Sequence, residues 1–277
     1  MFEEQVIPID LWINDGINWL VENHRGIFMK LKWPVEQTLV AINQGLSALH
    51  PTIIITIVTL IAWRIAGIRF AIFSAASLIF IGLLGLWDDT MTTFAMVFSS
   101  VIFCIIAGVP LGIWAGRNNT FERMIRPVLD AMQTTPSFVY LVPIVMLFSI
   151  GNAAGVLATI IFALPPIIRL TSLGIRQVPQ ELIEAAQAFG ATNLQVLIKV
   201  QVPLAMPTIL AGLNQTIMMA LSMVVVAALI GAGGLGSPVI TGLNSLDIGM
   251  AAIGGLAIVL MAVMLDRITQ AAAQKKQ

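Results

Sequence analysis

Long apolar runs alternate with short polar breaks along most of this chain. Seven runs approach or reach the roughly 20 residues that a helix needs to cross a bilayer. They are 51–66, 69–87, 91–116, 134–150, 153–171, 207–231 and 248–265. None alternates with the two-residue period of a transmembrane strand, so the spans are predicted as helices. Residues 1–50 follow a different pattern. Ile9, Trp12, Ile13, Ile17 and Leu20 recur at helical spacing, with Asp10, Asn14, Asp15 and Asn18 between them. This predicts an amphipathic helix in the membrane interface, with tryptophans at headgroup depth. A second, weaker amphipathic stretch runs over 37–49. The expected fold is therefore an all-α, polytopic transmembrane bundle: an interfacial region 1–50, then a transmembrane domain 51–277.

Composition agrees with a membrane protein. Of the 277 residues, 58% are hydrophobic and 10% charged, where a soluble domain carries about 25% charged residues. The formal net charge of zero gives no reason to expect a nucleic-acid partner. Phe2, Glu3 and Glu4 supply no basic start to a signal peptide. Cys104 is the single cysteine, so no intramolecular disulfide is expected. His24 and His50 have no Cys, Asp or His at ligand spacing, and no metal site is expected.

Basic residues set the expected orientation. With the C-terminus in the cytoplasm, seven spans leave the N-terminus outside. Arg64, Arg69, Arg117, Arg123, Arg126, Arg169, Arg176, Lys199, Arg267, Lys275 and Lys276 then lie inside, against Arg25, Lys30 and Lys32 outside. The outer loops near Asp88, Asn152 and Asp247 carry no Lys or Arg.

That orientation puts the longest polar interruption, 172–206, on the cytoplasmic side. Pro179 is predicted as a first helical residue, with Glu181 and Glu184 near the positive helix end and Gly190 as the stop. Leu182, Ile183, Ala185, Ala186 and Phe189 lie between. Small residues let another surface come close, and Leu182 and Phe189 are shaped to anchor in a socket. A helix so short is not stable alone in water, so it packs either on its own membrane domain or on a partner.

The spacing adds to this. Glu184-Ala185-Ala186, three residues, Gly190, nine residues, then Val200-x-Val202-Pro203 resembles the signature loop of bacterial ABC-importer permeases. Val200 and Val202 replace the family's Ile and Leu. The resemblance implies a coupling helix seated in the ATPase subunit, with Glu184, Ala185, Ala186, Gly190 and Pro203 as the coupling residues. Stretches beginning at Asp130, Phe162 and Asn214 are similar to the glycine betaine/proline betaine permeases of the ProU type. That implies import of compatible solutes in osmoprotection by a permease homodimer. A pair of cytoplasmic ATPase subunits would carry the ATP and Mg, and an extracytoplasmic protein would deliver the solute. Choline, carnitine and other small amines remain open as cargo.

No Gly-Lys-Ser/Thr phosphate loop occurs, so the chain is not expected to hydrolyse ATP or to hold a cofactor. Gly231-Ala-Gly-Gly-Leu-Gly follows an apolar run rather than a strand, and is expected to be a tight outer turn. From Pro207 to Leu246 there is no Asp, Glu, Lys, Arg or His. That argues against a proton-coupled secondary carrier and suits a solute without net charge. The prolines at 136, 143, 165 and 166 are either simple kinks or breaks lining a path. Gln133, Ser137 and Tyr140, and Asn214, Met218 and Ser222, each fall on one helical face and are candidates to line the pore. Interhelical hydrogen bonding is the plainer reading of such residues. Asp130, Arg169 and Asp266 sit at span ends, as anchors, loop partners or ATPase contacts. A non-transporting scaffold would account for the N-terminal helix but not for the permease-like loop.

Overall fold

In the computed structural model residues 9–274 are described, with side chains over 11–273. The signal-peptide reading and Lys275 and Lys276 lie outside them. Helices α4 (Trp87–Arg117), α7 (Asn152–Arg176), α10 (Val202–Val226) and α12 (Ile248–Gln274) are long. Each belongs to a segment apolar and long enough to span a membrane.

Helices α4 and α7 run parallel along a ladder of glycines. A Cβ on Gly112 would lie 2.5 Å from Cβ of Thr171 and 2.7 Å from the Ile168 carbonyl oxygen. Gly108 meets Ile167 and Gly116 meets Ile175 in the same register. Lipid tails are as apolar as Leu, so helices in a bilayer gain most from such close backbone approach. On its other side α7 meets α10, where Gly174 packs on Ala205 and Gly212 on Leu170. The three helices enclose Met96, Val97, Val156, Ile167 and Val224.

The predicted runs 51–66 and 69–87 form α2 (Pro51–Ala66) and α3 (Ile68–Leu83). Each has 16 residues, about 24 Å of helix and short of a 30 Å hydrocarbon core. Gly67, at φ +90°, breaks the run between Arg64 and Arg69. Pro51, Gly82, Leu83 and Trp87 border one cleft, so α2 starts where α3 ends and α4 begins. Arg267 of α12 lies 6.0 Å over the Phe70 ring, joining the opposite ends of α3 and α12. One end of the bundle thus gathers Arg69, Arg117, Arg176 and Arg267. The other gathers Trp87, Asn152 and the glycine turn.

Two expectations change. The separate amphipathic stretches of the N-terminal region are parts of one 40-residue helix, α1 (Ile9–Ala48). Pro34 interrupts its sequence but not its path, and the Thr38 hydroxyl donates to the Pro34 carbonyl at 2.8 Å. α1 turns by 105° into α2, and its Phe28 packs edge-on against Phe148 at 5.7 Å. The run 134–150 is no straight span. α5 (Asn119–Thr134) bends by 106° into a short 3₁₀ turn, Ser137–Tyr140, and α6 (Leu141–Phe148). The described helices supply four spans by length and composition, or six when each bent pair counts as one.

The prolines differ in effect. Pro165 and Pro166 are buried within an unbroken α7. Pro136 ends its helix, because Thr135 before it takes the extended backbone (ψ 128°) that a following proline favours.

Candidate functional site

The polar interruption begins after Arg176. Pro179 occupies the N-cap with ψ 130°, not the first helical position expected for it, and α8 (Gln180–Ala188) follows. Its end is a complete Schellman motif. The Gly190 N–H donates to the Gln187 carbonyl at 2.9 Å, and the Ala191 N–H to that of Ala186 at 3.0 Å. Gly190 sits at φ +83°, where a Cβ is penalised. Thr192 then caps α9 (Asn193–Val196) through a capping box with Gln195.

Pro203 cannot donate to the carbonyl four residues back, and its ring presses on it. The turn before it widens into a π-helix, Leu197–Gln201, with the Val202 N–H donating to Leu197. α10 continues from there. The backbone groups at the end of α8 are therefore satisfied locally, and the side chains of α8 are left largely facing out, while Val196 and Gln201 further on turn inward. Glu184 and Ala185 are exposed, Ala186 half-buried, and α8 has no buried residue. Phe189 is 93% exposed, with Leu182, Leu194 and Ile198 also exposed. Ala186, Phe189, Gly190, Gln195 and Lys199 border one open hollow. A large aromatic side chain held exposed by a fixed turn is a candidate contact surface.

The two face-sharing sets fare differently. Gln133 belongs to α5, whereas Ser137 and Tyr140 lie beyond the 106° bend. The single helical face assumed for them does not exist, because the helix ends before Pro136. The Tyr140 hydroxyl instead donates back to the Met132 carbonyl at 2.7 Å, pinning the bend, and its ring meets Phe162 at 6.3 Å. Asn214, Met218 and Ser222 do share a face of α10. Asn214 reaches across to α12: its Nδ2 donates to Asp266 at 3.2 Å and its Oδ1 accepts from Thr269. Gln270 also donates to Asp266, at 2.6 Å. The Ser222 hydroxyl donates to the Met218 carbonyl of its own helix at 3.0 Å.

Asp130 of α5 pairs with Arg169 of α7, and Arg176 with Glu122 at 3.4 Å. The glycine turn is tied inward. The Gly233 N–H donates to Asn152 Oδ1 at 2.6 Å and the Leu235 N–H to Thr93 Oγ1 at 2.8 Å. Those donors are spent on the protein, and the turn follows a helix, so it lacks the frame of a dinucleotide loop. His50 accepts from the Thr52 N–H at the start of α2, and His24 lies against Trp19. Among the described residues no three of His, Cys, Asp and Glu gather as a metal site.

Residues 108–277 match the family described as the binding-protein-dependent transport system inner membrane component. The chain belongs to this family. It is 53% identical over 270 residues to the glycine betaine/proline betaine transport system permease protein ProW of Escherichia coli (strain K12), covering 98% of this chain and 76% of that protein. To the glycine betaine transport system permease protein OpuAB of Bacillus subtilis (strain 168) it is 46% identical over 272 residues, covering 98% and 96%. Among solved structures, a chain of the inward-facing MetNI methionine ABC transporter superposes with a TM-score of 0.61 at 23% identity. That match covers 72% of this chain and 98% of the other, and it carries the fold alone. The chain is a multi-pass inner-membrane permease component with the ABC-importer permease fold.

Proposed function

We propose that the chain is the membrane pore of an ATP-driven importer of glycine betaine, proline betaine or a related quaternary ammonium compound. The observation that carries the ATP-driven part is the unpacked α8, which offers Phe189 outward beside a glycine-stopped helix end. Its occupant is an ATPase subunit, with Glu184, Ala185, Ala186, Gly190 and Pro203 as coupling residues. ATP and Mg belong to that subunit. A homodimer of this chain forms the path, and an extracytoplasmic binding protein delivers the solute.

The names of the relatives support the solute class, and the chain's own chemistry is compatible with it. A zwitterion needs no fixed counter-ion, and Pro207 to Leu246 offers none. A quaternary ammonium is drawn to aromatic faces, and Tyr140 and Phe162 stand together at the bend. Gln133, Ser137, Met218 and Ser222 are further path candidates, whereas the bonds of Asn214 to α12 favour a packing role for it. α1 lies along the outer membrane surface, with the N-terminus outside and α8 in the cytoplasm. Binding at α8 moves α10, which grows directly from the same segment, and so biases a two-state bundle.

The test is reconstitution of the full chain with its ATPase and binding protein, following labelled solute. Uptake should require ATP, resist ionophores, and be competed by quaternary ammonium compounds but not by neutral sugars. ATP-independent uptake abolished by an ionophore would point to a secondary carrier. Competition by sugars would remove the betaine assignment.

A further inference from the structure

Between α5 and α7, at the end where α4 closes on Arg117, lies a cleft of about 260 Å³. Arg126, Arg169, Arg176, Glu122 and Ser172 line it together with apolar side chains. Arg176 is fully engaged: it donates to Asn119 at 2.6 Å and to the Ala115 carbonyl at 2.7 Å, and pairs with Glu122. The other two arginines are not. Arg126 makes no ion pair among the described residues. Arg169 spends one terminal nitrogen on Asp130, while its Nε is buried and without a hydrogen-bond partner. Three guanidinium groups thus border the cleft; Glu122 balances Arg176 and Asp130 balances Arg169, which leaves the charge of Arg126 unpaired among the described residues.

The position of α5 suggests what the cleft meets. The helix exposes apolar Met124 and Val128 on one face and charged Arg123, Arg126 and Asp130 on another. A helix with exposed apolar and charged faces, beside the end of a spanning helix, lies at the boundary between acyl chains and headgroups. Guanidinium groups bind phosphate oxygens through paired N–H donors, and basic pockets between spanning helices take anionic headgroups.

We propose that this cleft binds the phosphate of an anionic phospholipid, held by Arg126 and the half-exposed guanidinium of Arg169, with Ser172 as a further donor. Both leaflets present phosphate at this depth, so the inference needs neither the solute nor the orientation proposed above.

The test uses the purified full chain, released from mixed phosphatidylglycerol and phosphatidylcholine and read by native mass spectrometry for retained lipid. Wild type should retain phosphatidylglycerol over phosphatidylcholine. Arg126→Gln should lower that retention about tenfold, the scale of one charge-assisted hydrogen bond. Arg123→Gln removes a charge from the same helix outside the cleft and should leave retention unchanged. Glu122→Gln removes the opposing charge and should raise it. Equal losses in Arg126→Gln and Arg123→Gln would reduce the effect to surface charge and overturn the site. Displacement of the lipid by millimolar inorganic phosphate would assign the cleft to a soluble anion and overturn the lipid assignment.

Discussion

Gly112 of α4 lies so close to α7 that any side chain there would reach Thr171 and the Ile168 carbonyl oxygen. Both neighbours belong to an apolar helix buried on its other side by α10, so neither can move away alone. Gly112→Val should therefore force the helices apart. Overpacking of this kind costs about 1–3 kcal/mol, with more where backbone must shift. Thermal unfolding in detergent should fall by several degrees, about 2–4 °C per kcal/mol for a chain of this size. Gly255→Ala, where the added Cβ meets nothing within 4 Å, should leave the midpoint unchanged or slightly raised. Equal midpoints for the two variants would remove the glycine ladder as the organiser of the bundle.

The proposed docking surface makes a different demand. Phe189 is 93% exposed, so Phe189→Asp removes no packing from the chain itself. Stability and membrane insertion should be unaffected, while co-purification of the ATPase subunit is lost. Glu184→Lys should leave the chain in the membrane and lower stimulation of ATP hydrolysis by loaded binding protein. Gly190→Ala strains the left-handed turn by about 1–2 kcal/mol, and Gly190→Pro also deletes the N–H that closes on Gln187. Coupling should therefore fall in the order wild type, Ala, Pro. Normal transport by Gly190→Pro with full coupling would sink the docking assignment.

What could be read from the sequence follows the range of the forces involved. Apolar runs report local burial, and each predicted run carries helix. The end of α8 was also legible, because Gly190 follows directly from chain stereochemistry. The glycine ladder is written at 108, 112 and 116, a spacing of four that marks close helix approach, but which helix it approaches depends on the tertiary fold. Other features depend on distant partners. Whether Pro136 breaks a helix while Pro165 and Pro166 do not is decided by what surrounds each. By its place in the sequence Asn214 shares a face with Met218 and Ser222, which suits either a path or an interhelical hydrogen bond. Its partner Asp266 lies 52 residues away, beyond any local pattern. The hydrogen bond from Tyr140 to Met132 likewise replaced an assumed helical face.

Asn214 is where the packing and path readings separate. Interhelical hydrogen bonds in membranes contribute about 0.6 kcal/mol on average and up to about 1.7. Asn214→Leu removes the reach to both Asp266 and Thr269, so it should lower the unfolding midpoint by a few degrees. The KM for solute should stay unchanged. A raised KM with an unchanged midpoint would return Asn214 to the path.

Tyr140 permits the same separation with two variants, because its ring and its hydroxyl have different partners. The hydroxyl holds the bend through Met132 at 2.7 Å, while the ring stands against Phe162. Tyr140→Phe keeps the aromatic face and loses a hydrogen bond worth about 1 kcal/mol. It should lower thermal stability and leave the KM for glycine betaine near wild type. Tyr140→Ala loses both. If the ring meets the quaternary ammonium, the lost cation–π attraction of about 1–2 kcal/mol should raise KM roughly tenfold. Concentration-dependent uptake in proteoliposomes, set beside unfolding midpoints, reads the two effects separately. An unchanged KM in Tyr140→Ala would confine the residue to holding the bend and leave the solute path to be sought on α10.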